Sequence, residues 1–465
     1  MANRVKRIHF NISERKVLLR MVDIVAVLGM LFLAGYCFAF DYFKFACENW
    51  SWSLVLTLYL SVFGTVFELY DLKQASRIDK VISNIALTTS TVVLFYLLTP
   101  YFTPSLPTNR LQLVYFYVAI FLALLLWRLL YLNVISKPRF FKKVLLVGET
   151  ANIQNIVEAL RQADSNYKII GFINCEASKA EAIKYKGLTE YQPMALHEVI
   201  REEQVSEIVV AAYQAEAIIP ELYDELIALL EHGFAIKEFT QVYEDMTQRV
   251  PVQFVGKDFY KYFPFSRNNR NKFYLFFHRA MDVFIAAVGI LVGLGLMPFV
   301  LLGNVFGNRG PLFYSQERVG MHGEHFNIVK YRTMVKDAET QGAVWATKGD
   351  VRVTPFGRFL RNTRLDEFPQ FFNILKGDMS LIGPRPERPS FVKELAEVIP
   401  FYKTRHMIKP GLTGWAQVKV RYGASVQDSQ TKLQYDLYYI KHRSFMLDIK
   451  VLVKTLSTIL FFRGQ

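Results

Sequence analysis

Long apolar segments in the first third of the chain constrain its fold more than any other feature. Residues 17–40, 50–70, 81–102 and 111–135 each approach the roughly 20 residues that a helix needs to cross the hydrocarbon layer. Apolar residues make up 52% of the 465 residues, which is high for a soluble protein. The sequence therefore predicts a membrane protein whose residues 1–140 form a four-helix transmembrane bundle.

The charges around these segments indicate their orientation. Lysine and arginine are concentrated before the first segment, within 71–80 and within 136–143, which predicts that both ends of the bundle face the cytoplasm. Arg20, Asp23 and Arg128 lie inside segments but towards their ends, where long side chains reach the interface at lower cost. They are interfacial, paired between helices or functional, and no role is assigned to them.

The balance of charges restricts the partners. A formal net charge of +14 suits a surface that meets anionic headgroups or phosphorylated substrates. Nucleic acid is the competing partner, but no zinc finger, aromatic RNA-binding motif or helix-turn-helix pattern supports it, so none is predicted. The cysteines Cys37, Cys47 and Cys175 predict neither a disulfide framework nor a C-x-x-C metal site.

Residues 141–250 alternate short β-branched runs with amphipathic stretches, which predicts a Rossmann-like parallel α/β domain. The turn after its first strand, residues 148–152, lacks G-x-G-x-x-G and places Glu149 where a pyrophosphate needs backbone amides. A structural or oligomerising module is therefore favoured over a nucleotide site. The linker, residues 251–275, is aromatic and basic, which suits the headgroup layer or an ordinary surface loop.

The densest set of reactive groups lies in residues 360–387. The adjacent carboxylates Asp366 and Glu367 are surrounded in sequence by arginines, namely Arg358, Arg361, Arg364 and Arg385. This pattern indicates phosphate chemistry, because guanidinium groups bind phosphate oxygens while a carboxylate can attack phosphorus or bind Mg²⁺. On a helical turn the two side chains would point about 100° apart, which favours different roles. The alternative is a helix first turn whose acidic residues pair with nearby arginines.

Six motifs then follow one another in a fixed order. They are QERVG at 316–320, KYRTM at 330–334, RLDEFPQ at 364–370, NILKGDMS at 373–380, GPRP at 383–386 and KPGLTGWAQ at 409–417. Together they resemble the bacterial sugar transferase family, the monotopic phosphoglycosyl transferases that form polyprenyl-diphosphate-linked sugars. The whole chain resembles the large members that prime exopolysaccharide and O-antigen synthesis, and its tail resembles the exosortase-associated (PEP-CTERM) subgroup.

The resemblance implies an activity and a set of site residues. A sugar 1-phosphate would pass from a UDP-sugar to undecaprenyl phosphate, with release of UMP, at the cytoplasmic face of the bacterial inner membrane. Asp366 would be the nucleophile and Glu367 the ligand of Mg²⁺. Phosphate oxygens would be bound by Lys330, Arg332, Arg361 and Arg385, with Pro384 and Pro386 fixing the backbone around Arg385.

The catalytic domain is predicted at residues 276–465, with a re-entrant helix at 279–306. The apolar run is long enough for a fifth crossing, but five crossings would place the carboxylates outside the cell. Pro298 removes an amide and crowds the carbonyl of Leu294, and the resemblance implies a helix-break-helix there. Relatives carry Ser before this Pro. Here Met297 takes its place, so the freed carbonyls need another donor, such as Arg279 or a headgroup.

Several further predictions are local. Asp378 is expected to cap a turn, His406 to be packed or on the surface, residues 421–430 to shape sugar specificity, and residues 449–462 to form an interfacial helix. Family members with and without the N-terminal half imply regulation or dimerisation, so a homodimer is considered beside a monomer. The alternative functions are a catalytically degenerate scaffold or regulator of polysaccharide assembly and, for the α/β domain, an epimerase or dehydratase.

Overall fold

The computed structural model describes residues 12–38, 40–70, 78–134, 142–163, 167–175, 188–211, 218–254, 269, 271–308, 310–335, 338, 350–420 and 425–460. The chain forms two compact units, Met1–Lys237 and Glu238–Gln465. Most of the predicted linker and residues 421–424 of the predicted specificity segment lie outside the described residues. The domain boundaries derived from the sequence stay predictions.

Four apolar helices open the first unit, as predicted: α1 (Ile12–Cys37), α2 (Trp50–Val66), α3 (Ile78–Leu97) and α4 (Leu111–Val134). They share a core that includes Leu31, Leu60, Ile85 and Phe116. By length and composition α1, α3 and α4 can each cross a membrane. With 17 residues α2 is about 26 Å long, and it is shorter than predicted because the chain turns at Phe67.

The charged residues inside the bundle pair with each other. Arg128 Nη2 donates to Asp23 Oδ2 over 2.8 Å, and both side chains are fully buried. Of the readings that the sequence left open, the structure supports pairing between helices.

An α/β domain follows, with the strands β1 (Lys142–Gly148), β2 (Tyr167–Asn174), β3 (Thr189–Tyr191), β4 (Glu207–Ala211) and β5 (Ile236–Glu238). Helices α5 (Thr150–Ala163), α6 (Leu196–Glu202) and α7 (Pro220–Glu231) connect them. The strand order is β3-β2-β1-β4-β5, and β1 runs parallel to both β2 and β4. The Rossmann-like prediction is confirmed.

Gly148, at the end of β1, has a packing reason for being glycine. A Cβ atom there would lie 3.2 Å from the carbonyl oxygen of Ala211 on the neighbouring strand. The close approach of two strands therefore accounts for this glycine without a bound phosphate.

The second unit begins with α8 (Phe239–Thr247) and the long helix α9 (Lys272–Gly307). It continues through the antiparallel hairpin β6 (Phe313–Val319) and β7 (His325–Tyr331), α10 (Pro355–Asn362) and α11 (Gln370–Lys376). The elements β8 (Ser380–Ile382), α12 (Pro389–Val398), β9 (Gly411–Thr413), α13 (Trp415–Lys419), α14 (Val426–His442) and α15 (Phe445–Leu460) complete it. Its core includes Ile374, Trp415 and Tyr439.

Helix α9 continues through Pro298 without an interruption, so the predicted break between two helices is wrong, although Pro298 still leaves the Leu294 carbonyl without its amide donor. Both of its ends contact the same unit: Tyr274 Oη donates to Asp448 Oδ2 at 2.6 Å near the start, and Val300 packs with Tyr331 and Leu360 near the other end. Contact at both ends is what a re-entrant path requires, whereas a crossing would carry one end away. The re-entrant path itself stays a prediction.

Arg279 has a different role from the one suggested by the sequence. Its guanidinium group donates to the carbonyl oxygens of Ile374 and Leu375 at 2.7 and 2.8 Å, and so caps the end of α11. It therefore does not serve the carbonyls freed by Pro298.

Helix α15 is amphipathic, as predicted for an interfacial helix. Leu447 and Val451 are buried in the core of the unit, while Phe445 and Met446 are exposed. Helix α9 has the same pattern, with Ala286 buried and Phe284 exposed on its other face. Both helices thus present apolar surface away from the unit, which is typical of membrane contact.

Candidate active site

The two carboxylates lie in a single 3₁₀ turn, Leu365–Glu367, between α10 and α11. The predicted helical turn is therefore confirmed, in its tighter form. Arg364 precedes the turn with φ of 60°, in the left-handed region that is unusual for a residue with a side chain. Such a conformation costs about 1–3 kcal/mol and is common at functional sites.

Glu367 lies among three cations. Its Oε1 atom accepts a hydrogen bond from Arg385 Nη2 at 3.0 Å and is 3.7 Å from Lys330 Nζ. Its Oε2 atom is 3.6 Å from Arg364 Nη1. Burial raises the pKa of this carboxyl, but Arg385, Lys330 and Arg364 together outweigh burial and hold the pKa at about 2. Glu367 is therefore an anion at neutral pH, with cations at both oxygens.

Asp366 has the opposite environment. Only 8% of the residue is exposed, and among the described residues its Oδ1 atom has no hydrogen-bond partner. Burial and the neighbouring charge of Glu367 raise the pKa of Asp366 to about 6, against the opposing effect of Lys330, Arg361 and Arg364. The turn thus separates the carboxylates into one that is held by cations and one with a free oxygen.

Lys330 reaches the site from β7. An amide side chain fixes this strand against α11, because Asn373 Nδ2 donates to the Asn327 carbonyl and Asn373 Oδ1 accepts from the Val329 amide. Burial lowers the pKa of Lys330 to about 8, although Glu367 favours its charged form. The lysine is therefore a cation that can lose its charge near physiological pH.

The other two predicted cations of this region differ in their contacts. Arg361 Nε donates to Thr333 Oγ1 at 2.9 Å, and its charge helps to lower the pKa of Asp366. Arg332 Nε donates to the Pro311 carbonyl, and its guanidinium group lies over the Tyr314 ring. Tyr314 is opposite Lys330 in the hairpin, so the two cations share a face as predicted, but the contacts of Arg332 are with the strand and not with the carboxylates.

The backbone around Arg385 is held from two sides. The Pro384 carbonyl accepts from the Gly411 amide at 2.8 Å, and the Arg385 carbonyl accepts from Arg405 Nη2 at 3.1 Å. Gly411 is required here, because a Cβ atom would lie 2.0 Å from the Gly383 amide nitrogen. These contacts hold the backbone that carries Arg385, while the role of the flanking prolines stays a prediction.

Two arginines of this region were not predicted. Arg405 is buried and donates to Asp436 Oδ2 and Tyr402 Oη, each at 2.7 Å. Arg318 donates to the Pro386 carbonyl and to Gln316 Oε1, while its buried Nε has no partner among the described residues. Burial lowers the pKa of Arg318 to about 10, against the effect of Glu387.

A signal for Arg318 was present in the sequence, since it lies within QERVG at 316–320. Arg405 had no such signal, because its partner Asp436 is far along the chain.

Two residues had local predictions: Asp378 as the cap of a turn, which stays a prediction, and His406 as a packed or surface residue. Asp378 pairs with Lys376 at 3.0 Å, next to Gly377 in a left-handed conformation at the end of α11. Burial and the charge of Arg405 lower the pKa of His406 to about 4, so that it is neutral. The contacts give neither residue a part in the site.

The carboxylate pair can hold a metal ion only with help from a substrate. Among the residues that the structure describes, no group of three or more His, Cys, Asp or Glu side chains is placed to do so. Mg²⁺ is commonly held by one or two carboxylates together with substrate phosphates, and Glu367, which stays ionised, fits such a ligand. Glu367 would bind the metal through oxygens that also face Lys330, Arg364 and Arg385.

Two family models match different parts of the chain. A family model described as bacterial sugar transferase matches residues 273–462, and one described as CoA-binding domain matches residues 65–230. The chain is 39% identical over 158 residues to the uncharacterized sugar transferase EpsL of Bacillus subtilis (strain 168), which covers 33% of this chain and 72% of that protein. This chain belongs to the bacterial sugar transferase family.

Two relatives that match a longer part of this sugar transferase have names that state an activity. It is 36% identical over 281 residues to the UDP-N-acetylgalactosamine-undecaprenyl-phosphate N-acetylgalactosaminephosphotransferase of Aeromonas hydrophila, covering 58% of this chain and 65% of that protein. It is 37% identical over 195 residues to the UDP-glucose:undecaprenyl-phosphate glucose-1-phosphate transferase of Xanthomonas campestris pv. campestris, covering 41% and 40%. The matches thus span less than two thirds of either relative.

Proposed function

We propose that this sugar transferase moves a sugar 1-phosphate from a UDP-sugar to undecaprenyl phosphate, giving undecaprenyl-diphosphate-sugar and UMP. The product would start exopolysaccharide synthesis at the membrane. The observation that carries the proposal is the unpartnered Oδ1 atom of Asp366, buried beside a second carboxylate that three cations hold. The names of the relatives support the same class of reaction.

In the first half-reaction Asp366 Oδ1 attacks the β-phosphorus of the UDP-sugar. A phosphorus–oxygen bond forms to the carboxylate, the bond from the β-phosphorus to the bridging oxygen breaks, and UMP leaves with the electron pair. A free, poorly solvated carboxylate oxygen suits this step, because nucleophilic attack needs a lone pair that no donor occupies. Splitting the transfer in two replaces one difficult displacement with two easier ones.

In the second half-reaction an oxygen of undecaprenyl phosphate attacks the same phosphorus. The bond to Asp366 breaks and the carboxylate is restored, so that no net proton is needed. The lipid would reach the site from the bilayer beside α9 and α15, whose exposed apolar faces belong to the same unit. Helix α9 would enter one leaflet and return by bending at Pro298, where the missing amide permits a kink within a continuous helix.

The cations around the carboxylates would stabilise the charge that develops on the phosphates. Lys330, Arg361 and Arg385 are the proposed phosphate ligands, with Arg332 as a further one on the hairpin face. Arg385 now pairs with Glu367, and Arg361 donates to Thr333. A bound diphosphate would accept hydrogen bonds from the same guanidinium groups. Pro384 and Pro386 would keep Arg385 in place.

Mg²⁺ is proposed as the cofactor, held by Glu367 with the diphosphate. When bound, it would neutralise charge on the departing phosphate. The pKa of Glu367, held at about 2, keeps this carboxyl ionised and available as a ligand across the working range of pH.

We place the protein in the bacterial inner membrane with the catalytic unit facing the cytoplasm, where nucleotide sugars are made. The four N-terminal helices and the charge distribution around them support this orientation. A homodimer is proposed as an arrangement of the full chain, to be tested by mass photometry against a monomer.

The decisive experiment measures UMP release by the purified full chain from a panel of UDP-sugars, with undecaprenyl phosphate and Mg²⁺. Wild type is compared with Asp366→Asn and with the matched control Asp378→Asn, a nearby carboxylate paired with Lys376. Release that needs Asp366, lipid and metal would establish the reaction and identify the sugar. No release by folded wild type with any donor would support the alternative of a degenerate scaffold for polysaccharide assembly.

A further inference from the structure

A second group of buried cations lies in the N-terminal bundle, within the first unit. Besides its pair with Asp23, the Arg128 guanidinium carbon is 5.8 Å from the centre of the Tyr70 ring. Arg20 lies over the same ring at 4.8 Å and donates from Nη2 to Thr65 Oγ1 at 3.0 Å. Two guanidinium groups therefore face one aromatic ring, and one of them pairs with a carboxylate.

Several donors of this group have no acceptor. Among the described residues, the buried atoms without a hydrogen-bond partner include the donors Arg20 Nε, Arg128 Nε and Nη1, and Trp127 Nε1, together with Asp23 Oδ1 and Tyr70 Oη. Two guanidinium groups and one carboxylate leave one positive charge without a counterion. Each unsatisfied buried donor costs about 1–3 kcal/mol, and an uncompensated buried charge costs more. The missing partner is thus an acceptor that carries negative charge.

The group lies at a level in the bundle where such acceptors occur. Trp127, Tyr131 and Tyr70 are the kind of aromatic residues that mark the headgroup layer. Arg128 lies about 9 Å before the end of α4 at Val134, and long cationic side chains at this depth reach towards phosphate groups.

We propose that Arg20, Arg128 and Trp127 bind a phosphate anion, the headgroup phosphate of an anionic lipid or free phosphate. Its oxygens would accept from the unpartnered guanidinium and indole donors, and its charge would balance the second guanidinium. Arginine suits this ligand because its planar fork matches phosphate geometry. The site is separate from the proposed transferase reaction and would make the stability of the bundle depend on phosphate.

The test uses the full chain, stripped of lipid in neutral detergent. Thermal unfolding and native mass spectrometry are followed with phosphatidylglycerol, with diacylglycerol, which lacks phosphate, and with inorganic phosphate. We expect phosphatidylglycerol to be retained and to raise the melting temperature, and diacylglycerol to do neither. An equal effect of inorganic phosphate would support the site with free phosphate as its ligand.

Variants show whether the effect belongs to this site. Arg20→Gln should weaken retention about tenfold, the size of one lost charge-assisted hydrogen bond. Lys44→Gln removes an exposed cation, paired with Asp41, and should change nothing. If Arg20→Gln does not fold, Trp127→Phe removes a single donor and should weaken retention several-fold. Equal stabilisation by diacylglycerol, or unchanged retention in these variants, would overturn the proposal.

Discussion

Two buried carboxylates, one in each unit, have opposite surroundings. Glu207, at the start of β4, is 3% exposed, and it accepts hydrogen bonds from Tyr167 and from Lys142 at 3.1 Å and lies 3.2 Å from Lys237. Burial raises its pKa, but Tyr167 and the two lysines outweigh burial and lower it. Asp366 is buried to a similar degree, yet its pKa is raised and its Oδ1 has no partner.

The difference separates a structural carboxylate from a reactive one. A buried charge whose oxygens all have donors contributes to the fold and has no lone pair left for chemistry. A buried oxygen without a donor costs stability, and that cost is tolerated at sites where a substrate supplies the missing partner. Each of the following changes tests this distinction.

The largest effect is expected from Asp366→Asn, which keeps the size of the side chain but removes the attacking carboxylate. UMP release should fall by about 10⁴-fold or more, as is usual when a nucleophile is lost. Glu207→Gln should leave turnover within about threefold, since it lies outside the reaction. Initial rates at saturating UDP-sugar measure the activity of both variants. Comparable losses of activity would show that Glu207 and Asp366 do not differ in their roles.

Arg385→Gln comes next. It removes a cation that both holds Glu367 and is proposed to bind phosphate, so kcat/KM should fall about 10²- to 10³-fold, the range for one transition-state donor. Arg332→Gln is the matched control on the hairpin face, and its contacts with Pro311 and Tyr314 predict a smaller loss. Equal losses would mean that Arg332 turns into the site when substrate binds.

Glu207→Gln should instead lower stability. It leaves Lys142 and Lys237 facing a neutral amide, and because both lysines are partly exposed we expect a loss of only about 2 kcal/mol. Hydrogen exchange of the β1 and β4 amides in the full chain measures it, with the exposed Glu198→Gln as control. Unchanged protection would contradict a structural role for the cluster.

The stability effect of Asp366→Asn should have the opposite sign. Because folding raises the pKa of Asp366 from 3.8 to about 6, its ionised form destabilises the fold above pH 6, and the cost disappears below pH 4. The variant should therefore be more stable than wild type by about 3 kcal/mol at pH 7.5, and nearly equal to it at pH 4. Thermal unfolding at both pH values measures this, and a less stable variant at pH 7.5 would refute it.

The pH dependence of kcat/KM should show the smallest change. Activity should fall about tenfold per unit below pH 6 as Asp366 is protonated, and again above pH 8 as Lys330 loses its proton. Lys330→Arg keeps the charge at high pH and should remove the alkaline fall while leaving the acidic one. An alkaline fall that survives in this variant would assign it to another group.

Much of the fold was accessible from the sequence. The apolar segments predicted the bundle helices, because a bilayer sets their length, and the alternation of short β-branched and amphipathic runs predicted the parallel sheet. The second helix is shorter than predicted, since its final residues turn to place Tyr70 against Gly64, a contact that no periodicity encodes.

The sequence by itself determined the chemistry that is available here: two adjacent carboxylates, the arginines around them and six ordered motifs. Only the tertiary structure decided how that chemistry is divided. Asp366 and Glu367 are neighbours in sequence, yet Lys330, Arg364 and Arg385 converge on one of them and leave an oxygen of the other without a partner. The physical reason is that burial and hydrogen-bond partners are set by residues that lie far apart in the chain.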